Sequence, residues 1–108
     1  MKKTMLASFL VLVANGALAE GVTVEMCERM GRIAQNIMTM RQYETPMSKQ
    51  MRSFTERYAN DEYWRLVTTE MVKMAYKIPA YSTKAVQEKE VSRFRNDTES
   101  ACYENVEL

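Results

Sequence analysis

Two cysteines, no histidine and ten methionines limit the chemistry open to this 108-residue chain. Cys27 and Cys102 do not form a CxxC pair, so thiol–disulfide exchange has no motif here. Two lone cysteines without a histidine also fall short of a zinc site. Nucleophilic catalysis of the Ser-His or Cys-His kind lacks its base for the same reason. A lysine or carboxylate base could replace it, but no residue is singled out for that role. Asp61-Glu62 is the one adjacent acidic pair, and it reads better as negative charge at a helix N-terminus than as an acid–base pair. Gly16, Gly21 and Gly31 cannot form a glycine-rich phosphate loop. Asn96-Asp97-Thr98 fits a glycosylation sequon but falls inside a helical stretch and is read as coincidence. The expectation is a non-enzymatic protein with no cofactor and no metal.

Methionine and the aromatic residues remain as sources of function. Met26, Met30, Met38, Met40, Met47, Met51, Met71 and Met74 follow the first twenty residues. They could line an adaptable apolar groove or offer thioethers to Cu(I). Filling a helical core is the favoured reading, because most of them lie in helical stripes. Tyr63 and Trp64 are adjacent, so on a helix they point about 100° apart. With Tyr63 inside, Trp64 stands at the edge as a partner anchor, or else lies in a groove between helices. Tyr76, Ile78 and Tyr81 surround Pro79 in AYKIPAYST. They read first as a rigid corner and second as a partner-contacting edge.

The elements that must carry these residues begin after residue 19. Lys2 and Lys3, the apolar run Met5 to Val13 and Ala17-Leu18-Ala19 have the pattern of a secretory signal peptide cleaved before Glu20. The apolar run is too short to span a bilayer. Export to the periplasm or outside the cell is expected, with no stable membrane insertion after cleavage. Residues 20–108 then form a single domain of 89 residues, with 13 Lys+Arg against 14 Asp+Glu. That balance gives no reason to expect a nucleic-acid partner. In an oxidising compartment Cys27 and Cys102 are expected to form one intramolecular disulfide. An intermolecular bridge and two free thiols are the alternatives. The bridge would close a loop of about 76 residues, worth about 4.5 kcal/mol by chain entropy.

Hydrophobic periodicity predicts four helices, at about 23–41, 46–58, 61–77 and 83–103. Met26, Met30, Ile33, Ile37 and Met40 form the stripe of the first, with Cys27, Gly31, Ala34 and Met38 beside it. Thr45-Pro46 predicts a cap with proline at the first helical position, and Met47, Met51, Phe54 and Tyr58 the second stripe. Asn60 is the expected cap of the third helix, whose stripe is Tyr63, Val67, Met71 and Met74. Pro79 ends that helix. Ser82 is the expected cap of the fourth, with Tyr81 stapled on Val86. Short connections predict a small all-α, four-helix antiparallel bundle stapled by one disulfide. The start of the first helix and the end of the fourth then meet, where Cys27 and Cys102 stand.

CERMGRIAQNIMTMRQYETPMS, AYKIPAYST and FRNDTESACYEN together resemble small secreted two-cysteine helical proteins found in bacteria and bacteriophage genomes. The shared features are an early cysteine, Met38 to Gln42 followed by Pro46-Met47-Ser48, Ala75 to Ser82, and Cys102-Tyr103. The resemblance implies a disulfide and a helical fold, and carries no active site. Its setting implies contact with an envelope or phage protein, as in hydrolase inhibition or exclusion of a second phage. A monomer or weak oligomer with candidate contacts Trp64, Tyr76, Ile78 and Tyr81 is expected. A chaperone-like stress protein that exposes methionine surface is the alternative.

Overall fold

The computed structural model describes residues 21–107. The expected signal segment, residues 1–19, lies outside them. Four helices run in order: α1 Val24–Gln42, α2 Met47–Arg57, α3 Glu62–Ala75 and α4 Lys84–Tyr103. Among the described residues the one β feature is an isolated bridge between Val22 and Val106, which ties the chain ends together beside the disulfide. No described helix is long and apolar enough to cross a membrane.

Side chains cap the starts of α1 and α3 but not those of α2 and α4, and three starts differ from expectation by one residue. Thr23 caps α1 as its hydroxyl accepts from Met26 N at 3.1 Å. Pro46 itself occupies the cap of α2, without a side-chain bond, in place of Thr45. Asp61, not Asn60, caps α3 by accepting from Trp64 N at 3.2 Å. A carboxylate there also suits the positive end of the helix dipole. Thr83, not Ser82, precedes α4, again without a side-chain bond. Val86 is exposed, so the expected staple gives the corner no buried anchor.

The helices assemble around α1. Cys27, Met30, Gly31, Ala34, Ile37, Met38 and Gln42 are all buried along it. This surface is wider than one stripe and is rotated from the expected one. Met40 is exposed, while Met26 and Ile33 are half-buried. The cause is that α1 faces two neighbours: α4 on one side and the α2–α3 hairpin on the other.

The disulfide joins Cys27 to Cys102, with Cα atoms 5.5 Å apart and both residues fully buried. It sets the register of α4 along α1. Glu99 lies over Gly31, where a Cβ would run into its carboxylate. Arg95 bonds Glu99 at 3.0 Å and donates to the Gln35 amide oxygen. Thr39 faces Val91 across a shared groove. Each four-residue advance on α1 is therefore matched by three or four residues back along α4. From α4, Glu90 and Thr98 are buried beside Phe94, Ala101 and Cys102, so polar and apolar side chains share the contact. Phe94 is the one large apolar side chain that α4 buries, worth about 1.5–3 kcal/mol.

The other interface is apolar and aromatic. Met30, Ile37, Met38, Val67, Met71 and Val72 are fully buried. Arg29 of α1 stacks over the Trp64 ring at 4.1 Å and donates to the Tyr58 hydroxyl at 3.0 Å. Twelve residues further along both helices, Arg41 lies over the Tyr76 ring at 4.9 Å. The equal spacing means that α1 and α3 run in the same direction, in register. Trp64 rather than Tyr63 enters this interface. Tyr63 packs edge-on against Trp64 at 5.6 Å, and its buried hydroxyl has no partner.

The α1–α2 turn holds one strained residue. Glu44 has φ 61, the left-handed region where glycine is usual after a helix. Thr45 N bonds Met40 O at 3.0 Å and Glu44 N bonds Arg41 O at 2.9 Å, so the helix end is closed around it. Replacing Glu44 with glycine removes the Cβ penalty. E44G should raise stability by about 1 kcal/mol, read as a Tm increase of ~4–8 °C; an unchanged or lower Tm contradicts the strain.

Candidate functional site

The segments that stood out in the sequence meet at the end of the molecule opposite the disulfide. Here α1 and α3 end and α4 begins. The link Tyr76–Thr83 has no regular structure, so side chains must satisfy its backbone groups. Arg41 Nε donates to Ile78 O at 2.8 Å. Gln42 Nε2 donates to Pro79 O at 2.9 Å, and Gln42 Oε1 accepts from Tyr81 N at 2.8 Å. The Gln42 amide thus imitates a peptide unit of a neighbouring strand. Gln87 Nε2 completes the set by donating to Tyr81 O at 2.6 Å.

A second buried polar group locks the α1–α2 turn to the same corner. Gln50, 2 % exposed, donates to Ile37 O at 3.2 Å and to the Tyr76 hydroxyl at 2.8 Å. The Tyr76 hydroxyl donates onward to Thr45 O. Buried amides bonded this fully rigidify the backbone they hold. The residues quoted from Met38 to Gln42, around Pro46-Met47 and from Ala75 to Tyr81 are therefore neighbours in space.

The candidate contact residues fall into different classes. Tyr76, Ile78 and Tyr81 are half-buried at the corner. Tyr76 is committed to its hydrogen bonds and to Arg41. Ile78 and Tyr81 are held through their backbones, with side chains partly accessible. Trp64 does not belong with them: only 7 % of it is exposed, under Arg29 and against Tyr58. It is a core residue and cannot act as an exposed anchor in this fold.

The sequence pattern placed Met40 and Met47 on inward stripes and gave Gln42 and Gln50 no structural role. Yet Gln42 follows Met38 by four residues and Gln50 precedes Phe54 by four, which puts both on buried stripes. Tyr43 is 75 % exposed, and Met40 and Met47 beside it are also exposed. Together they present apolar side chains around the strained turn. Between α1 and α4 lies a groove of about 320 Å³, with Tyr43 on its rim and Gln42 and Gln87 in its wall.

No acid–base or nucleophilic array stands at this corner. Among the described residues no three His, Cys, Asp or Glu side chains gather to hold a metal ion. Arg41 Nε, Gln42 and Gln87 donate to backbone carbonyls, and Gln50 to a carbonyl and the Tyr76 hydroxyl. What the arrangement can do is hold a surface still. No protein-family model, curated protein or solved structure matches the chain.

Removing the Gln42 amide unpairs the half-buried Pro79 C=O and Tyr81 N–H, each at the lower end of about 1–3 kcal/mol. Q42A should therefore lose about 2–4 kcal/mol in denaturant unfolding. Y81A keeps every backbone bond and should lose clearly less. Equal losses would show that the ring, rather than the amide clamp, holds the corner.

Proposed function

We propose that this protein is a non-enzymatic binding module of the cell envelope or the exported milieu, acting by contact with another protein. The observation that carries this reading is the exposed set Met40, Tyr43 and Met47 on a turn fixed by buried amides. A backbone fixed before contact and a tyrosine ring with two torsions lose little conformational entropy on docking, while the flexible methionines adapt to the partner. Ile78 and Tyr81 extend the same edge. The buried disulfide supports an oxidising compartment, which accords with the signal-like residues 1–19. The convergence of the three sequence segments at this corner supports a shared use for it. The partner in this reading is an envelope or phage protein, with hydrolase inhibition or superinfection exclusion as the outcome.

Expression of the exported protein should shift host sensitivity to a cell-wall hydrolase or a second phage. Y43S should abolish the shift at unchanged Tm, because the ring is exposed. Absence of any shift, together with no partner captured by the oxidised protein from envelope extracts, removes the proposal.

A second reading, a chaperone-like protein, rests on Met30, Met38, Met71 and Met74, which are buried now and would surface on loosening. It requires acid or oxidant to raise dye binding and to suppress aggregation of a client protein. Dye binding without client protection eliminates it.

A further inference from the structure

The α1–α4 seam is closed at one end and open at the other. From Cys27 to Gln35 it is filled by the disulfide, by Glu99 against Gly31 and by the Gln35–Arg95 bond. Beyond Thr39 the helices still face each other across a groove whose lining is polar apart from Val91 and Tyr43. Lys84, Gln87, Glu88 and Val91 follow one another at spacings of three, one and three residues, on the face that looks toward α1. Such positions normally carry the apolar residues that close a helix pair. Here they line the groove of about 320 Å³, a size at the lower end for small-molecule sites.

Two exposed charges line that groove, Lys84 and Glu88. Among the described residues the ion pairs are Lys73–Glu70, Arg93–Glu90 and Arg95–Glu99. Lys84 and Glu88 stand one turn apart without pairing. Their order, lysine before glutamate, is the weaker one for an i,i+4 pair. The groove therefore offers an ammonium and a carboxylate about 5–6 Å apart at Cβ. Val91, half-buried, gives it an apolar wall, and the exposed Tyr43 ring gives it an apolar rim.

We propose that this groove binds a small zwitterion, a free amino acid or short peptide bearing both an unblocked ammonium and an unblocked carboxylate. Lys84 takes the ligand carboxylate, Glu88 takes its ammonium, and a small apolar side chain lies between Val91 and Tyr43. A singly charged ligand gives up one of the two charge-assisted contacts, and that loss gives the selectivity. The proposal does not rest on a protein partner.

The test is an amide chemical-shift titration of the oxidised protein with free alanine, alanyl-alanine, N-acetyl-alanyl-alanine, alanyl-alanine amide and an uncharged disaccharide. Alanine or alanyl-alanine should produce saturable shifts at Thr39, Gln87 and Val91 in the millimolar range. The stronger of the two identifies a free amino acid or a peptide as the source. Each blocked dipeptide should bind about tenfold more weakly, the expected loss of one charge-assisted contact. K84Q and E88Q should do the same to the unblocked ligand. No saturable shift, equal affinity for blocked and unblocked forms, or binding of the disaccharide alone would overturn the assignment.

Discussion

A single helix, α1, has to be buried on two sides by partners of unlike chemistry, and the other elements depend on how it does so. Against α2 and α3 it presents methionine, isoleucine and two arginines stacked on aromatic rings. Against α4 it presents a cysteine, a glycine, a glutamine and a threonine at four-residue intervals. The first face gains its stability from area removed from water. The second cannot, because α4 buries so little apolar surface, and the covalent bridge compensates. A chain of this size has a modest core, so a cross-link at the far reach of the sequence contributes where packing is thin.

The same division explains what the sequence made legible. Helix number, order and antiparallel sense follow from periodicity and from Pro46 and Pro79, which are local signals. The cysteine pairing follows from there being two cysteines and from the meeting of first and last helices. Burial was harder to read, since a stripe chosen for one partner misses the residues turned toward a second. Met40 and Tyr63 were assigned inward on that ground, and both lost the place to neighbours, Met38 and Trp64. Of the three shifted starts, that of α3 traces to neighbours competing for one donor, with Asp61 taking Trp64 N in place of Asn60, while Pro46 and Thr83 stand at their starts without a side-chain bond.

The corner was legible only in outline. Pro79 marks it, but the bonds that build it join residues 37 and 39 positions apart in the chain. No local window contains such a contact. Gln42 and Gln50 are polar residues on otherwise apolar stripes, a conflict that marks a buried network as readily as a surface. Of the exposed residues around them, Met40 and Met47 belonged to apolar stripes and read as inward, because exposure at the end of a stripe is set by where the chain turns.

Complete burial of both sulfurs also bears on how the protein is made. A thiolate attacks a disulfide only along an accessible line to sulfur, and the closed helix pair leaves none. The bond must then be introduced while α4 is still away from α1. A molecule that closes without it has its thiols sealed from the cellular oxidants that would join them. The finished bond is equally shielded from reductants until α4 lifts. The oxidation state of each molecule thus records the order of events at its synthesis, long after the surrounding redox conditions have changed.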